Sequence, residues 1–197
     1  YLIKRTPETV NVLKKIPFLP VELFKNHEIV TGVYSPEATF TSSTTTGGTP
    51  SKHHVKELAH YEKVYVEGFQ REFGALENWT ILALLPSYLE RSGSSLVAMA
   101  EGMIKRSTKE ESGFYLYNHG ELAEVLQRLQ KQQRPTLLMG VTFGLLDFAE
   151  SIYAMDFPML RVMETGGMKG RRKEMIREEL HEILAAGFGV SKIHSEY

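Results

Sequence analysis

The chain has 197 residues, of which 42% are hydrophobic and 24% are charged, which excludes a disordered, collagen-like or coiled-coil protein. Lysine and arginine number 23 against 24 aspartates and glutamates, and cysteine is absent. General nucleic-acid binding is therefore disfavoured, and disulfides, thiolate zinc sites and a cysteine nucleophile are excluded within these residues. No apolar run approaches the ~20 residues of a membrane span, and no signal-peptide pattern is present, so we expect a cytoplasmic protein without a membrane span.

Hydrophobic periodicity predicts strands and helices that alternate along the chain. Tyr61, Tyr65 and Phe69 belong to a set of apolar residues that recur every three or four positions and predict one long helix. Asn118 is expected to cap a later helix, with Glu121 reaching back to it. In chain order, the pattern predicts strands near 39–41, 79–85, 114–117, 136–141, 160–163 and from 193, and helices over 51–73, 94–105, 122–129, 145–155 and 171–186.

Alternation of this kind is typical of an α/β fold with a doubly wound, mostly parallel sheet flanked by helices. Ligands of such sheets bind beyond the carboxyl ends of the strands. Small, hydroxyl-bearing and glycine residues follow the predicted strands here. A polar ligand cradled by backbone needs such residues, although ordinary turns use them too. The functional site is therefore expected at this edge of the sheet.

The most informative stretch runs from 41 to 52, between the first predicted strand and the long helix. Six consecutive hydroxyl residues precede Gly47 and Gly48, and Lys52 follows at the predicted start of the helix. Hydroxyls, backbone amides and a lysine are suitable donors for phosphate oxygens. No Gly-Lys pair occurs in the chain, so this is not the common G-x-x-x-x-G-K-[ST] phosphate loop. A flexible Ser/Thr/Gly linker would have the same composition.

A second glycine-containing turn, 164–170, also follows a predicted strand and precedes a predicted helix. It lacks the G-x-G-x-x-G spacing, so it indicates an ordinary strand-to-helix turn more than a dinucleotide site. Arg171, Arg172 and Lys173 follow at the predicted helix start, where cations oppose the helix dipole. Either a solvated face or an anionic ligand or partner would explain these three cations.

Two further kinds of site are disfavoured by the sequence. His53, His54, Glu57 and His60 lie on the predicted long helix, but without an H-E-x-x-H motif they indicate surface histidines rather than a metal site. A Ser-His-Asp hydrolase is disfavoured because G-x-S-x-G is absent and the chain has only two aspartates. His194 is a candidate only through its position at the last predicted strand.

Several of these segments occur in the same order in a known family. The hydroxyl-glycine-lysine loop resembles the ATP-phosphate loop of the adenylate-forming acyl- and aryl-acid ligases. Within that superfamily the chain is most similar to the acyl-protein synthetases of the bacterial luminescence fatty-acid reductase, over nearly all of its length from about Pro17 onward. The likeness is carried by FTSSTTTG (40–47), SKH (51–53), LLPSYLER (84–91), GSSL (93–96), SGFY (112–115), GVTF (140–143), ETGGMKGR (164–171) and HSEY (194–197).

The resemblance implies a two-step reaction with ATP and Mg²⁺ as cofactors. A carboxylic acid, in this family a fatty acid, attacks the α-phosphate of ATP to give an acyl-adenylate, and the acyl group then passes to the thiol of a protein cysteine or of coenzyme A. The resemblance assigns phosphate binding to Ser42, Ser43, Thr44, Thr45, Thr46, Gly47, Gly48 and Lys52. It assigns adenine binding to Gly166, Gly167, Glu196 and Tyr197. Thr142, Phe143 and Gly144 are expected near the acyl pocket by their position.

The resemblance further implies that residues 1–197 form one incomplete N-terminal adenylation domain. The family's next motif, with its Mg-binding glutamate, and the small C-terminal domain with the catalytic lysine would follow Tyr197. No catalytic residue or metal ligand is therefore assigned within the chain, and these residues alone are expected not to complete the reaction.

Two other interpretations stay open at this point. An aryl-acid ligase of the phenylacetate-CoA type would share the phosphate loop and use coenzyme A. A non-catalytic α/β binding module is favoured by Thr44, since the family has glycine there and a β-branched residue tolerates close approach or a positive φ poorly. The partners expected of an enzyme are a carboxylic acid and a thiol acceptor, together with an acyl reductase or a second copy of the chain, and no nucleic acid.

Overall fold

The computed structural model describes residues 10–16, 18–42, 49–85, 93–166, 168, 172 and 175–196. The strands are β1 (Ala38–Thr41), β2 (Lys52–Val55), β3 (Thr80–Leu84), β4 (Gly113–Tyr115), β5 (Thr136–Gly140), β6 (Leu160–Glu164) and β7 (Ile193–Ser195). The α-helices are α1 (Leu23–Asn26), α2 (Leu58–Phe73), α3 (Ser95–Ser107), α4 (His119–Lys131), α5 (Thr142–Ser151) and α6 (Arg177–Phe188). Short 3-10 turns cover Leu13–Lys15 and Leu76–Asn78.

Five strands form one parallel sheet in the order β4-β3-β5-β6-β7. The chain goes outward from β3 to β4, returns past β3 to β5, and continues outward on the other side, which is consistent with a doubly wound fold. Helices α2 and α3 pack on one face of the sheet, and α4, α5 and α6 pack on the other. The predicted α/β class, with a parallel sheet flanked by helices, is confirmed.

The central strands are buried on both faces because helices cover both sides. Every residue of β3 and β5 is buried, and such continuous burial is typical of parallel strands between two helix layers. Leu82, Leu138 and Val162 are aligned across three strands and belong to the core beneath α4–α6. Ile81 and Leu137 point to the core beneath α2 and α3. Within the residues described, no helix is long and apolar enough to cross a membrane.

The predicted helix over 51–73 is wrong in its first part. Residues 52–55 form strand β2, which pairs antiparallel with β1 in a separate hairpin, and the helix begins only at Leu58. The Leu58 amide donates to the Glu37 carboxylate at 2.7 Å, which places a negative charge at the helix start, where the dipole favours it. Short apolar-polar runs such as Lys52–Val55 fit a strand as well as a helix, and pairing with β1 decides between the two.

Three other expectations need correction. Helix α5 begins at Thr142, not near 145, and ends at Ser151. Helix α6 begins at Arg177, so Arg172 precedes it, while 171 and 173 lie outside the described residues.

Asn118 stands at the start of α4, but its side chain accepts from the Leu116 amide and donates to the Glu121 carboxylate instead of forming the predicted reciprocal cap.

Arg172 is held by carboxylates and not by a helix terminus. Its guanidinium donates to Asp147 and Glu150, both on α5. These contacts lower the pKa of Glu150, with the Arg172 hydrogen bond as the main cause, and raise that of Arg172 through its bonds to Glu150 and Asp147. An ion-pair cluster therefore explains this cation without an anionic ligand.

Candidate functional site

The carboxyl ends of β5, β6 and β7 bring three of the predicted site residues together. The Thr142 amide donates to the Gly166 carbonyl at 3.5 Å, and the Glu196 amide donates to the Glu164 carbonyl at 3.0 Å. Gly166 has φ +76°, which favours glycine, and a Cβ added there would meet no atom of the described residues within 4 Å. Gly167 and Tyr197, the other predicted adenine residues, lie outside the described residues.

Glu164, at the end of β6, organises this edge. Its side chain is only 2% exposed. One oxygen, Oε2, accepts from the Gly166 amide at 2.8 Å and from the Thr142 hydroxyl at 3.2 Å. The other oxygen, Oε1, accepts from the Ser195 hydroxyl at 2.7 Å and lies 3.5 Å from His181 Nε2. Through these hydrogen bonds, the Glu164 carboxylate connects the end of β6 to the end of β7, to the first residue of α5 and to the turn that follows β6.

The protonation of Glu164 follows from these contacts. Burial acts to raise its pKa, but the hydrogen bonds from Ser195, the Gly166 amide, His181 and Thr142 outweigh burial and lower the pKa below its usual value. The carboxylate is therefore ionised at neutral pH, and four donors satisfy its two oxygens.

The contact of Ser195 with His181 does not form a hydrolase triad. In a triad, the histidine contacts the serine with one ring nitrogen and the acid with the other. Here the same nitrogen, His181 Nε2, lies 3.3 Å from the Ser195 hydroxyl and 3.5 Å from Glu164, while Ser195 contacts the carboxylate directly. The arrangement fixes the three side chains relative to one another.

A groove of about 590 Å³, with an aromatic and methionine floor and charged side chains at both ends, runs between α2 and the sheet. A volume of this size is within the range of ~300–1,000 Å³ that is typical of small-molecule sites. Three methionines from α3 and β6 contribute to its lining, together with one face of α2 and all of β7. The lining residues are Tyr61, Val64, Tyr65, Gly68, Phe69, Glu72, Phe73, Met99, Met103, Met163, Lys192, Ile193, His194, Ser195 and Glu196.

The two ends of the groove differ in charge. Glu196 and Tyr61 lie at the carboxyl edge of the sheet; burial raises the pKa of both, and the nearby Glu196 charge raises that of Tyr61 further. At the opposite end, Glu72 pairs with Lys192 at 3.6 Å and lies 3.9 Å from His194 Nδ1. Burial, followed by the neighbouring Lys192 charge, lowers the pKa of His194. The carboxyl-edge end therefore carries an acid that burial shifts toward its neutral form.

The predicted acyl-pocket residues lie beside the groove and not on its wall. Thr142, Phe143 and Gly144 form the first turn of α5, and all three are buried. Phe143 is part of the core beneath α2 and α3. Their role in binding an acyl group stays a prediction.

The hairpin that carries the predicted phosphate loop is attached at the same edge of the sheet. The Thr41 amide donates to the Gly93 carbonyl at 2.9 Å, just before α3, and the rings of Phe40 and Tyr61 lie 5.0 Å apart. Ser42 closes the hairpin, because its hydroxyl accepts from the Ser51 amide at 2.9 Å. Lys52 is exposed on β2 and not at a helix start, which corrects the prediction.

The loop itself, Ser43, Thr44, Thr45, Thr46, Gly47 and Gly48, lies outside the described residues. The strands that lead into it and out of it nonetheless fix where it is attached. Its two ends are at Ser42 and the residue after Gly48, close to the carboxyl edge of the sheet.

Two histidines of β2 and one of α2 line a separate cavity. His53, His54 and His60 contribute to a space of about 750 Å³ between β2, α2 and residues 24–34. His54 Nδ1 lies 2.9 Å from the Thr39 hydroxyl, and its Nε2 lies 3.7 Å from Glu28. Across the described part of the chain, no group of three or more metal-binding side chains is arranged to hold an ion.

The sequence drew attention to the 164–170 turn but missed the part that Glu164 plays. An acid at the end of the predicted strand, directly before the Thr-Gly-Gly turn, was the available signal. Comparisons with protein-family models, with curated proteins and with solved structures gave no match. Any functional assignment of this site therefore depends on its geometry and on the motifs noted above.

Proposed function

We propose that this chain belongs to an enzyme that activates a carboxylic acid, in the first instance a fatty acid, with Mg-ATP as an acyl-adenylate and passes the acyl group to a thiol. One observation carries the proposal. A groove lined by Tyr61 and Glu196 opens at the carboxyl edge of the sheet: the Glu196 amide bonds the Glu164 carbonyl, two residues before Gly166, and the Tyr61 ring packs on Phe40 of the β1–β2 hairpin. An acid whose chain lay in this groove would have its carboxylate beside the segments that the motifs assign to the nucleotide.

The residues at this edge have the chemistry that the first step requires. Nucleotidyl transfer depends mainly on positioning and on neutralising charge. The backbone at Gly166 and the neighbouring Glu196 would face the adenine. The loop that begins at Ser42, together with Lys52, would donate to the phosphates. ATP, when bound, supplies the electrophilic phosphorus and the leaving pyrophosphate.

Metal binding is not assigned to any described carboxylate. Both oxygens of Glu164 already accept hydrogen bonds from four donors, so this carboxylate has no free position for a cation. In the proposal the Mg²⁺ ligand is supplied by the glutamate that the family resemblance implies after Tyr197.

Acid-dependent exchange of pyrophosphate into ATP tests the proposal. The measurement uses a protein that continues beyond Tyr197, because the resemblance implies that the metal-binding glutamate and the catalytic lysine follow there. We expect exchange with long-chain acids, and a large loss of exchange in Lys52→Ala. Lys56→Ala is the matched control, since Lys56 is a nearby exposed lysine that pairs with Glu57.

Titration of Mg-ATP with the natural protein and with Thr44→Gly separates the two interpretations of Thr44. Binding by the natural protein supports the enzyme. Binding only by the glycine variant, with no exchange by the natural protein, would favour the non-catalytic module. Exchange driven by aryl acids and not by fatty acids would favour the phenylacetate type of ligase and overturn the fatty-acid proposal.

A further inference from the structure

The groove owes its shape to one face of α2. Residues 61, 64, 65, 68, 69, 72 and 73 recur at helical spacing and all line it, so they form a single stripe along the helix. Gly68 is at the centre of this stripe. Gly68 is exposed at the rim of the groove, between the exposed side chains of Val64 and Glu72, and a Cβ added there would meet no atom of the described residues within 4 Å, so no side chain overhangs the groove at this position.

A second glycine makes room for an aromatic ring of the groove wall. Gly102 faces α2 from α3, and a Cβ added there would overlap the hydroxyl of Tyr65. The absence of that Cβ allows the Tyr65 phenol to pack against α3. Burial, and next the nearby Glu62 charge, raise the pKa of Tyr65 to about 12, so its hydroxyl is neutral in this position.

We propose that Gly68 is the residue that determines acyl-chain length, by leaving the middle of the groove open for a long unbranched chain; this inference rests on the proposed function. Gly102 acts with it by giving the Tyr65 ring a place to retract. The acid would enter with its carboxylate at the Glu196 end, accepting a hydrogen bond from the neutral Glu196 carboxyl, and its methyl end between Phe69 and Phe73, short of the Glu72–Lys192 pair. Apolar aromatic and methionine side chains along the groove suit an aliphatic chain.

The dimensions of α2 set the length of chain that fits. Between Tyr61 and Phe73 the helix rises ~18 Å at 1.5 Å per residue. Because each carbon–carbon bond advances an extended chain by no more than about 1.5 Å, the groove accepts a chain of roughly twelve carbons or more. Gly68 lies ~10 Å from Tyr61 along the helix, so a large side chain that folded over the groove from this rim position would obstruct long acids and not short ones.

The test uses the tryptophan that is the only one in the chain. Trp79 packs edge-on against Phe69 and Phe73, with ring centroids 5.8 and 5.7 Å away, and both phenylalanines line the groove. Hexadecanoic acid brominated near its methyl end should therefore quench Trp79 fluorescence on binding to the 197-residue chain. Unlabelled hexanoic and hexadecanoic acids, as competitors of this probe, give the affinities for short and long chains.

Gly68→Leu should weaken binding of the long acid about tenfold or more, because several methylenes lose their apolar surroundings, and should leave the short acid within about threefold. Gly102→Ala should act in the same direction by displacing the Tyr65 ring. Gly120→Leu is the matched control: Gly120 is an exposed glycine near the start of α4, with no atom within 4 Å of an added Cβ. Unfolding midpoints for all variants establish that each is folded.

Each result decides. Selective loss of the long acid in Gly68→Leu and Gly102→Ala supports the inference. If Gly68→Leu binds acids of every length with the same affinity as the natural protein, the inference about Gly68 is overturned and the proposed function stands. The same conclusion follows if the natural protein shows acid-dependent exchange but the brominated acid does not quench Trp79. The proposed function fails separately, only if no acid drives exchange.

Discussion

Replacing Glu164 with glutamine tests whether this carboxylate holds the edge of the sheet together as an anion. The amide keeps the size of the side chain but loses its charge. Its oxygen can still accept from the Gly166 amide and the Thr142 hydroxyl, which are the donors at Oε2. Its NH₂ group then faces Ser195 and His181, both of which can turn from donor to acceptor. The network therefore survives in neutral form.

The expected cost is the difference between charged and neutral hydrogen bonds. Bonds to a charged group contribute about 1.5–3 kcal/mol and neutral ones about 0.5–1.5 kcal/mol. The two shortest, from Ser195 at 2.7 Å and Gly166 at 2.8 Å, account for most of the difference, and relief from burying a charge offsets part of it. We expect Glu164→Gln to lower the free energy of unfolding at neutral pH by about 1–3 kcal/mol. Glu164→Ala, which leaves buried donors unpaired, should cost about 3–5 kcal/mol.

The pH dependence provides the sharper assay. The pKa of Glu164 is below its usual 4.5 in the folded chain, so the folded state binds fewer protons than the unfolded state. Its contribution is complete above the unfolded pKa and is lost as pH falls through the folded pKa. Urea unfolding followed by Trp79 fluorescence should show the difference between natural and Glu164→Gln proteins shrinking as pH falls. The exposed Glu110→Gln is the control. A difference that stayed constant down to about pH 3 would refute the reasoning.

Two other predictions concern the groove and the helix packing. Burial raises the pKa of Glu196, so the folded chain binds more protons than the unfolded chain and loses stability as pH rises above the usual pKa. At neutral pH, Glu196→Gln should therefore raise the free energy of unfolding by a fraction of a kcal/mol after solvent screening. A lower urea midpoint for Glu196→Gln would contradict this. A Cβ on Gly187 would lie 2.8 Å from Ala149 Cβ, where α6 crosses α5. Gly187→Ala should therefore lower the free energy of unfolding by about 1–3 kcal/mol. Adding Ala149→Gly should recover most of that loss, as measured by urea unfolding. Additive losses in the double variant would show that the two residues are not coupled.

The sequence predicted the sheet class because local patterns specify it. β3 and β5 read as continuous apolar runs, and their complete burial follows from that pattern. The strand order could not be predicted, since the pairing of β3 with β5 links residues more than fifty positions apart. The hairpin was missed for a related reason: Lys52–Val55 is too short to reveal its period, and only β1 makes it a strand.

The sequence predicted which residues follow the carboxyl ends of the strands, but not the contacts among them. Gly166 and Glu196 were identified from motifs, and both lie at the carboxyl ends of the strands. Glu164 was not singled out, because three of its four donors, Thr142, His181 and Ser195, come from other elements. The apolar face of α2 was predicted, yet the gap at Gly68 has meaning only when α2 lies against β7.

Two glutamates at the same edge have opposite environments, and the contrast separates structure from function. Glu164 is buried under four donors and is held as an anion, so its oxygens are fully engaged within the fold. Glu196 projects into the end of an apolar groove, where burial raises its pKa and where no described side chain or amide donates to its carboxylate. A half-buried acid without donors is costlier to ionise than an exposed one. Packing within the fold does not explain why Glu196 lies at the mouth of the groove. A bound molecule with a hydrogen-bonding headgroup at this end would supply a hydrogen-bond partner for its carboxyl group.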